Sequence, residues 1–250
     1  MPRVIGPVPS DKWEREVRRQ LLMQLPNNWV VICSVSWALR NDIGAVRDGE
    51  ADFVVLVPEL GLAVLEVKGS KLVRIDENGI WHRQLSDFRG GVREVALKES
   101  PPEQANKNLH TLAKVVKEEL SPNANGPFPG LHAWLVVYPN GEVEGKSNLY
   151  DDSTIITKSG MHQLGRAIRN ALLAKGGEAT GRQFTQDFSN RAAETLTNQR
   201  FRVVSVDTEL DSHEDGYDID ELTRQQFAAL RGAFELPRVA IIGPAGSGKT

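Results

Sequence analysis

Residues 51–69 read ADFVVLVPELGLAVLEVKG, and the reading of this stretch decides the fold. Two short β-rich apolar runs, ADFVVLV and LAVLEVK, flank the turn-like PELG, which is the pattern of a hairpin. Side chains along a strand repeat with period two, so Glu66 and Lys68 share a face. A carboxylate and a lysine on an otherwise apolar strand are costly to bury unless they pair or bind something. Asp52 opens the first run, and the turn decides whether it joins them. A turn centred between Glu59 and Leu60 pairs Asp52 with Val67 and sends it to the wrong face. A turn centred on Glu59 or on Leu60, or a β-bulge, restores it to the face of Glu66 and Lys68.

That grouping suits metal-dependent phosphodiester cleavage. Such chemistry needs a hard divalent cation on oxygen ligands, an activated water and charge neutralisation. Asp52 and Glu66 offer carboxylate oxygens, and the Val67 carbonyl offers another. Lys68 can orient or deprotonate the water, or offset developing charge. A structural reading competes: a buried Glu66–Lys68 ion pair beside an unrelated Asp52 at the strand edge.

Outward from the hairpin, Pro9-Ser10 opens a helix, with Ser10 as N-cap and Asp11 in the first turn. Trp13, Val17, Leu21 and Leu25 form its apolar stripe. At roughly 100° per residue, Glu14 falls inside the stripe and Glu16 outside it. Glu14 therefore either points toward a cleft or reaches water from the stripe's edge. Residues 29–37, WVVICSVSW, read as a strand, and Ala38–Glu50 as a polar loop. Glu50 shares the face of Asp52 only if the strand starts early. Asn78-Gly79 marks a further tight turn within residues 73–81. Residues 85–100 give no clear pattern. A helix is expected from Pro101 to about Leu120, a strand over 131–138, a short strand over 153–158 and helices over 160–175 and 183–198. The resulting order, α-β-β-β-α-β-β-α, predicts a mixed α/β sheet with helices on its faces. Histidines His82 and His110 are read as surface or core residues, not ligands.

The 250-residue chain has 30 Lys and Arg against 33 Asp and Glu, a formal charge of −3. Any nucleic-acid surface must then be local. Candidates are Lys71, Arg74, Arg83, Arg89 and Arg93, interleaved with Trp81 and Phe88. Cys33 is the only cysteine, which excludes an intrachain disulfide or cysteine-based zinc site and fits a reducing cytoplasm. No signal segment or membrane-length apolar run is present in the sequence. Oligomeric state is not legible.

The Asp52…Glu66-Val67-Lys68 spacing resembles the PD-(D/E)XK nuclease motif. With WEREV near the start and PPEQANKNLH beyond the hairpin, the pattern is similar to the nuclease-related domain, NERD. The resemblance covers about residues 10–175. It implies a restriction-endonuclease-like fold and Mg²⁺-dependent cleavage of DNA, with Mn²⁺ as a substitute metal. It further implies Asp52 and Glu66 as metal ligands, Lys68 as the catalytic lysine, Glu14 as a first-helix site glutamate and Gln104 as a helix glutamine beside the site.

A second motif lies at the other end. GPAGSGKT, residues 243–250, follows the strand-like RVAII and matches G-x-x-x-x-G-K-[ST] in full. Gly243, Gly246, Ser247 and Gly248 let backbone N–H groups wrap phosphates; Lys249 reaches the β- and γ-phosphates and Thr250 holds Mg²⁺. Upstream, LTRQQFAAL resembles the glutamine motif of superfamily 1 helicases, with Gln226 at its adenine-reading position. The chain stops at Thr250, so it is expected to be a fragment of a longer nuclease–helicase, with ATP bound only in the full-length protein. The expected organisation is a nuclease domain over 1–178, a helical and acidic linker over 179–221 (ELDSHEDGYDID at its core), and a truncated ATPase core over 222–250. The expected function is a Mg²⁺-dependent DNA endonuclease in DNA processing or defence; the alternative is a non-catalytic nucleic-acid-binding module that positions a helicase.

Overall fold

A computed structural model describes residues 1–40, 46–86, 92–120, 127–145, 151–176 and 182–197. Two compact units divide the chain, Met1–Arg202 and Val203–Thr250. The expected elements over 201–250, the P-loop included, lie outside the described residues.

The first unit is a mixed α/β fold, with mixed sheets flanked by helices. Its main sheet has six strands in the order β1 (Arg3–Ile5), β2 (Val30–Arg40), β3 (Val46–Val57), β4 (Gly61–Val67), β8 (Leu131–Val137) and β10 (Ile155–Ile156). Strands β2, β3 and β4 form an antiparallel meander, whereas β1, β8 and β10 join their neighbours in parallel. Every residue of β4 is buried, as expected for a central strand covered on both faces.

Helices α1 (Lys12–Gln24) and α3 (Leu164–Leu173) cover one face; α2 (Pro101–Leu120) and α4 (Gln186–Thr197) cover the other. Val17, Leu21 and Ile168 meet Phe53, Val55 and Leu65 in the first core. Leu109, Leu112 and Ala193 meet Val54, Leu56 and Val64 in the second. A smaller sheet, β7 (Val92–Ala96), β6 (Trp81–Ser86), β5 (Leu72–Ile75) and β9 (Glu142–Glu144), adds Val73, Ile75 and Trp81 to that second core.

Several local expectations change. Asp11, not Ser10, caps α1: its carboxylate accepts from the N–H groups of Trp13 at 2.7 Å and Glu14 at 3.2 Å. Within the polar loop expected over 38–50, residues 38–40 and 46–50 instead extend β2 and β3 as far as the Arg40–Val46 pair. The strand expected over 153–158 shrinks to Ile155–Ile156 between short 3₁₀ turns. Residues 85–100 hold strand β7 and the capping box of α2. In that box Ser100 N–H donates to Glu103 at 2.8 Å and Glu103 N–H to Ser100 Oγ at 3.3 Å. Helix α4, expected to begin a linker, packs into the second core through Ala192, Ala193 and Leu196.

Candidate active site

The hairpin turn is centred on Glu59. Pairing runs from Val57–Gly61 to Phe53–Leu65, and its continuation sets Asp52 opposite Glu66. Glu59 takes the left-handed conformation at φ 64°, and Leu60 N–H closes the turn on the Val57 carbonyl at 3.0 Å. Gly61 follows at φ 155°, with the Leu131 carbonyl filling the space a Cβ would need. Only glycine fits there. Leu131 N–H in turn donates to the Leu60 carbonyl at 2.7 Å, fastening the turn to β8.

A second feature shapes the site from β2. Cys33 and Phe53 pair and belong to the core under α1; Val35 and Ala51 also pair, in the same register, but belong to the core under α2. Both strands therefore change faces at Ser34 and Asp52. Ser34 has φ 55°, a left-handed backbone that breaks the alternation.

Past the last paired residue of the hairpin, Val67 N–H donates to Asp52 Oδ2 at 2.6 Å. Glu66 is 7% exposed. Its Oε1 accepts from Lys68 Nζ at 2.7 Å, and its Oε2 from Asn108 Nδ2 at 3.4 Å. Burial pushes the Asp52 carboxyl up to about 7; the Glu66 charge adds to the rise, while the Val67 N–H and Lys68 oppose it. Glu14 is raised by burial and by the charges of Asp11, Glu50 and Glu66, with Lys68 opposing. The helix glutamate thus shares the electrostatic neighbourhood of the hairpin.

On the α2 side, Glu50, Glu66, Gln104, Lys107 and Asn108 line a cavity of about 160 Å³, with Trp37 at its wall. Of the expected site residues, Glu66 and Gln104 line this cavity, Lys68 binds Glu66, and the charge of Glu66 reaches both Asp52 and Glu14. Val67 takes part through its N–H. Gln226, Gly243, Gly246, Ser247, Gly248, Lys249 and Thr250 lie outside the described residues. Among the described residues, no group of three or more His, Cys, Asp and Glu side chains is placed to hold a metal ion.

The expected strand-binding path is reduced. Trp81 is 2% exposed and belongs to the core, so it cannot stack on a base. Arg74 pairs with Glu94 at 2.7 Å. His82 pairs with Asp76, and His110 packs edge-on to His132. Phe88 and Arg89 lie outside the described residues. Sequence reasoning missed Asn108 and Ser34. Asn108 was signalled only by its position four residues after Gln104, on the same helix face.

Among the described residues, no helix is long and apolar enough to cross a membrane. The model for the family described as "Nuclease-related domain", NERD, matches residues 10–137. No curated protein matches the chain, and no solved structure does.

Proposed function

The chain belongs to the nuclease-related domain family, and on that premise we propose that it is a Mg²⁺-dependent DNA endonuclease, a hydrolase of phosphodiester bonds in which Mn²⁺ can replace Mg²⁺. One observation carries the reading: the Glu59-centred turn brings Asp52 opposite Glu66, and their proximity helps push Asp52 up to about 7. A buried and a half-buried carboxylate that repel one another fit a divalent cation, which would relieve the repulsion. Asp52 and Glu66, with the Val67 carbonyl, would hold it. The metal supplies polarisation of the scissile phosphate and a water of lowered pKa.

The chain's own residues would do the rest. Lys68, 2.7 Å from Glu66, brings a positive charge to the face on which the phosphate would sit, where it orients the water and offsets charge developing on oxygen. Glu14, raised by burial and its acidic neighbours, is suited to hold a proton at the rim. Gln104, on the cavity wall, offers an amide to the phosphate or the water.

The test is cleavage of plasmid and single-stranded DNA with Mg²⁺ or Mn²⁺, against Asp52→Ala and Lys68→Ala. Metal-dependent cleavage by wild type, lost in both variants, is expected. If all three are inert while DNA binding persists, the non-catalytic binding module takes its place. The closed Glu66–Lys68 ion pair is the observation that favours that second reading.

For residues 222–250 the proposal is the start of a superfamily 1 helicase ATPase core, joined through 179–221 to a nuclease portion over 1–178. Its support is the P-loop match at 243–250 and the placement of Gln226. ATP binding would then belong to that core, in a cytoplasmic protein acting in DNA processing or defence against foreign DNA.

A further inference from the structure

We propose that Asn108 is a positioning residue for this site, setting the orientation of the Glu66 carboxylate toward the metal; the inference rests on the endonuclease reading above. Asn108 is 6% exposed and sits on α2 at the cavity wall. Its amide makes three contacts. Oδ1 accepts from Trp37 Nε1 at 3.0 Å; Nδ2 donates to the Glu50 carbonyl at 2.8 Å and to Glu66 Oε2 at 3.4 Å.

The amide's orientation does not depend on telling oxygen from nitrogen. An indole N–H only donates, so the group facing Trp37 must be the oxygen. A backbone carbonyl and a carboxylate only accept, so the nitrogen must face Glu50 and Glu66. The three partners agree on one orientation.

Lys68 and Asn108 hold the two oxygens of Glu66 from different sides. Lys68 is a point charge on a flexible stem, its side chain 29% exposed. Asn108 is buried and tied to β2 and β3 through Trp37 and the Glu50 carbonyl, and both of those strands extend past the Ser34 switch. Through Asn108, the orientation of Glu66 is set by the long hairpin rather than by β4 alone. When Lys68 swings from Oε1 toward substrate, Asn108 keeps the carboxylate in place.

The test compares wild type with Asn108→Leu, close in volume but with no donor. It measures Mn²⁺ affinity by calorimetry on the uncleaving, DNA-free protein, and kcat and KM for DNA cleavage. Outer-shell partners of metal ligands typically change affinity or activity about 10–100-fold. The long Glu66 contact points to the lower end, about 10-fold weaker Mn²⁺ binding, with kcat reduced and KM for DNA unchanged. Because Asn108→Leu also strands Trp37 Nε1, Trp37→Phe is run beside it. That variant frees the amide on one side without touching Glu66, and a loss of a few-fold in Mn²⁺ affinity is expected with unchanged far-ultraviolet circular dichroism. Wild-type Mn²⁺ affinity and kcat in both variants overturn the inference while leaving the endonuclease reading intact. If wild type itself neither binds Mn²⁺ nor cleaves, the endonuclease reading fails first and the inference with it.

Discussion

Replacing Asp52 with asparagine should stabilise the metal-free protein at neutral and alkaline pH while removing its response to metal. Asparagine keeps the shape of the side chain, and its Oδ1 can still accept from Val67 N–H, now 2.6 Å from the carboxylate. What it removes is the cost of ionising a buried carboxyl beside Glu66. The folded carboxyl stands at about 7 against an ordinary 3.8. At about 1.4 kcal/mol for each pH unit between them, the ionised form costs the fold on the order of 4 kcal/mol.

The sign follows from proton binding. Below pH 3.8 the group is protonated in both states, so wild type and variant differ little. Between 3.8 and about 7 the unfolded chain ionises first while the folded one keeps its proton. Wild type therefore loses stability relative to the variant as pH rises through that window, and above it the gap stays constant. Urea unfolding with chelator present, at pH 4, 5.5, 7 and 8.5, reads the gap directly. Metal narrows it: at a hundred times its dissociation constant, Mg²⁺ should stabilise wild type by about 2.7 kcal/mol and leave Asp52→Asn unmoved. An Asp52→Asn protein no more stable than wild type at pH 8.5 without metal would refute the strained-carboxylate argument.

Other perturbations follow from the same geometry. Lys68→Met should lower cleavage about 100- to 10,000-fold in a plasmid nicking assay, with DNA binding by gel shift largely kept; cleavage at the wild-type rate would assign Lys68 to ion pairing alone. Gly61→Val meets the Leu131 carbonyl and a φ of 155°, so its urea midpoint should fall and cleavage should fall with it. An active, stable Gly61→Val protein would show that the turn does not set the register of Asp52. Ser100→Ala removes the cap of α2 and should cost about 1 kcal/mol by thermal unfolding, leaving the cleavage chemistry in place.

The hairpin was legible because two simple periods overlap there. Apolar runs broken by PELG give the strands, and alternation groups Glu66 with Lys68. Its turn was legible only as a choice of centres. Pro58-Glu59-Leu60 contains no residue that compels a left-handed φ, and the decision falls to Gly61, which must let the Leu131 carbonyl approach from a strand far along the chain. The extension of β2 and β3 through residues 38–40 and 46–50 was hidden by composition, since polar residues and Gly44 and Gly49 read as loop. Tertiary pairing overrode that local preference. The capping box of α2 stood in plain sight as S-P-P-E, yet the two prolines drew attention to the helix start rather than to the reciprocal bonds of Ser100 and Glu103.

Ser34 resolves how residues from opposite faces of the main sheet can serve one site. Glu14 rides on α1, whose stripe packs on the first core; Gln104 and Asn108 ride on α2, which packs on the second. A regularly alternating sheet would keep these sets on opposite sides. At Ser34 and Asp52 the two paired strands change faces together without changing register. Beside that point the β3–β4 ladder gives out, and the Val67 N–H turns to the Asp52 side chain instead of a β3 carbonyl. The sheet is thus opened where the carboxylates stand. Glu14 feels Glu66 and Lys68 from one side, while Asn108 reaches Glu66 from the other. A regular strand through residue 34 would close that gap, and the acidic pair would revert to a buried structural cluster reachable from α2 alone.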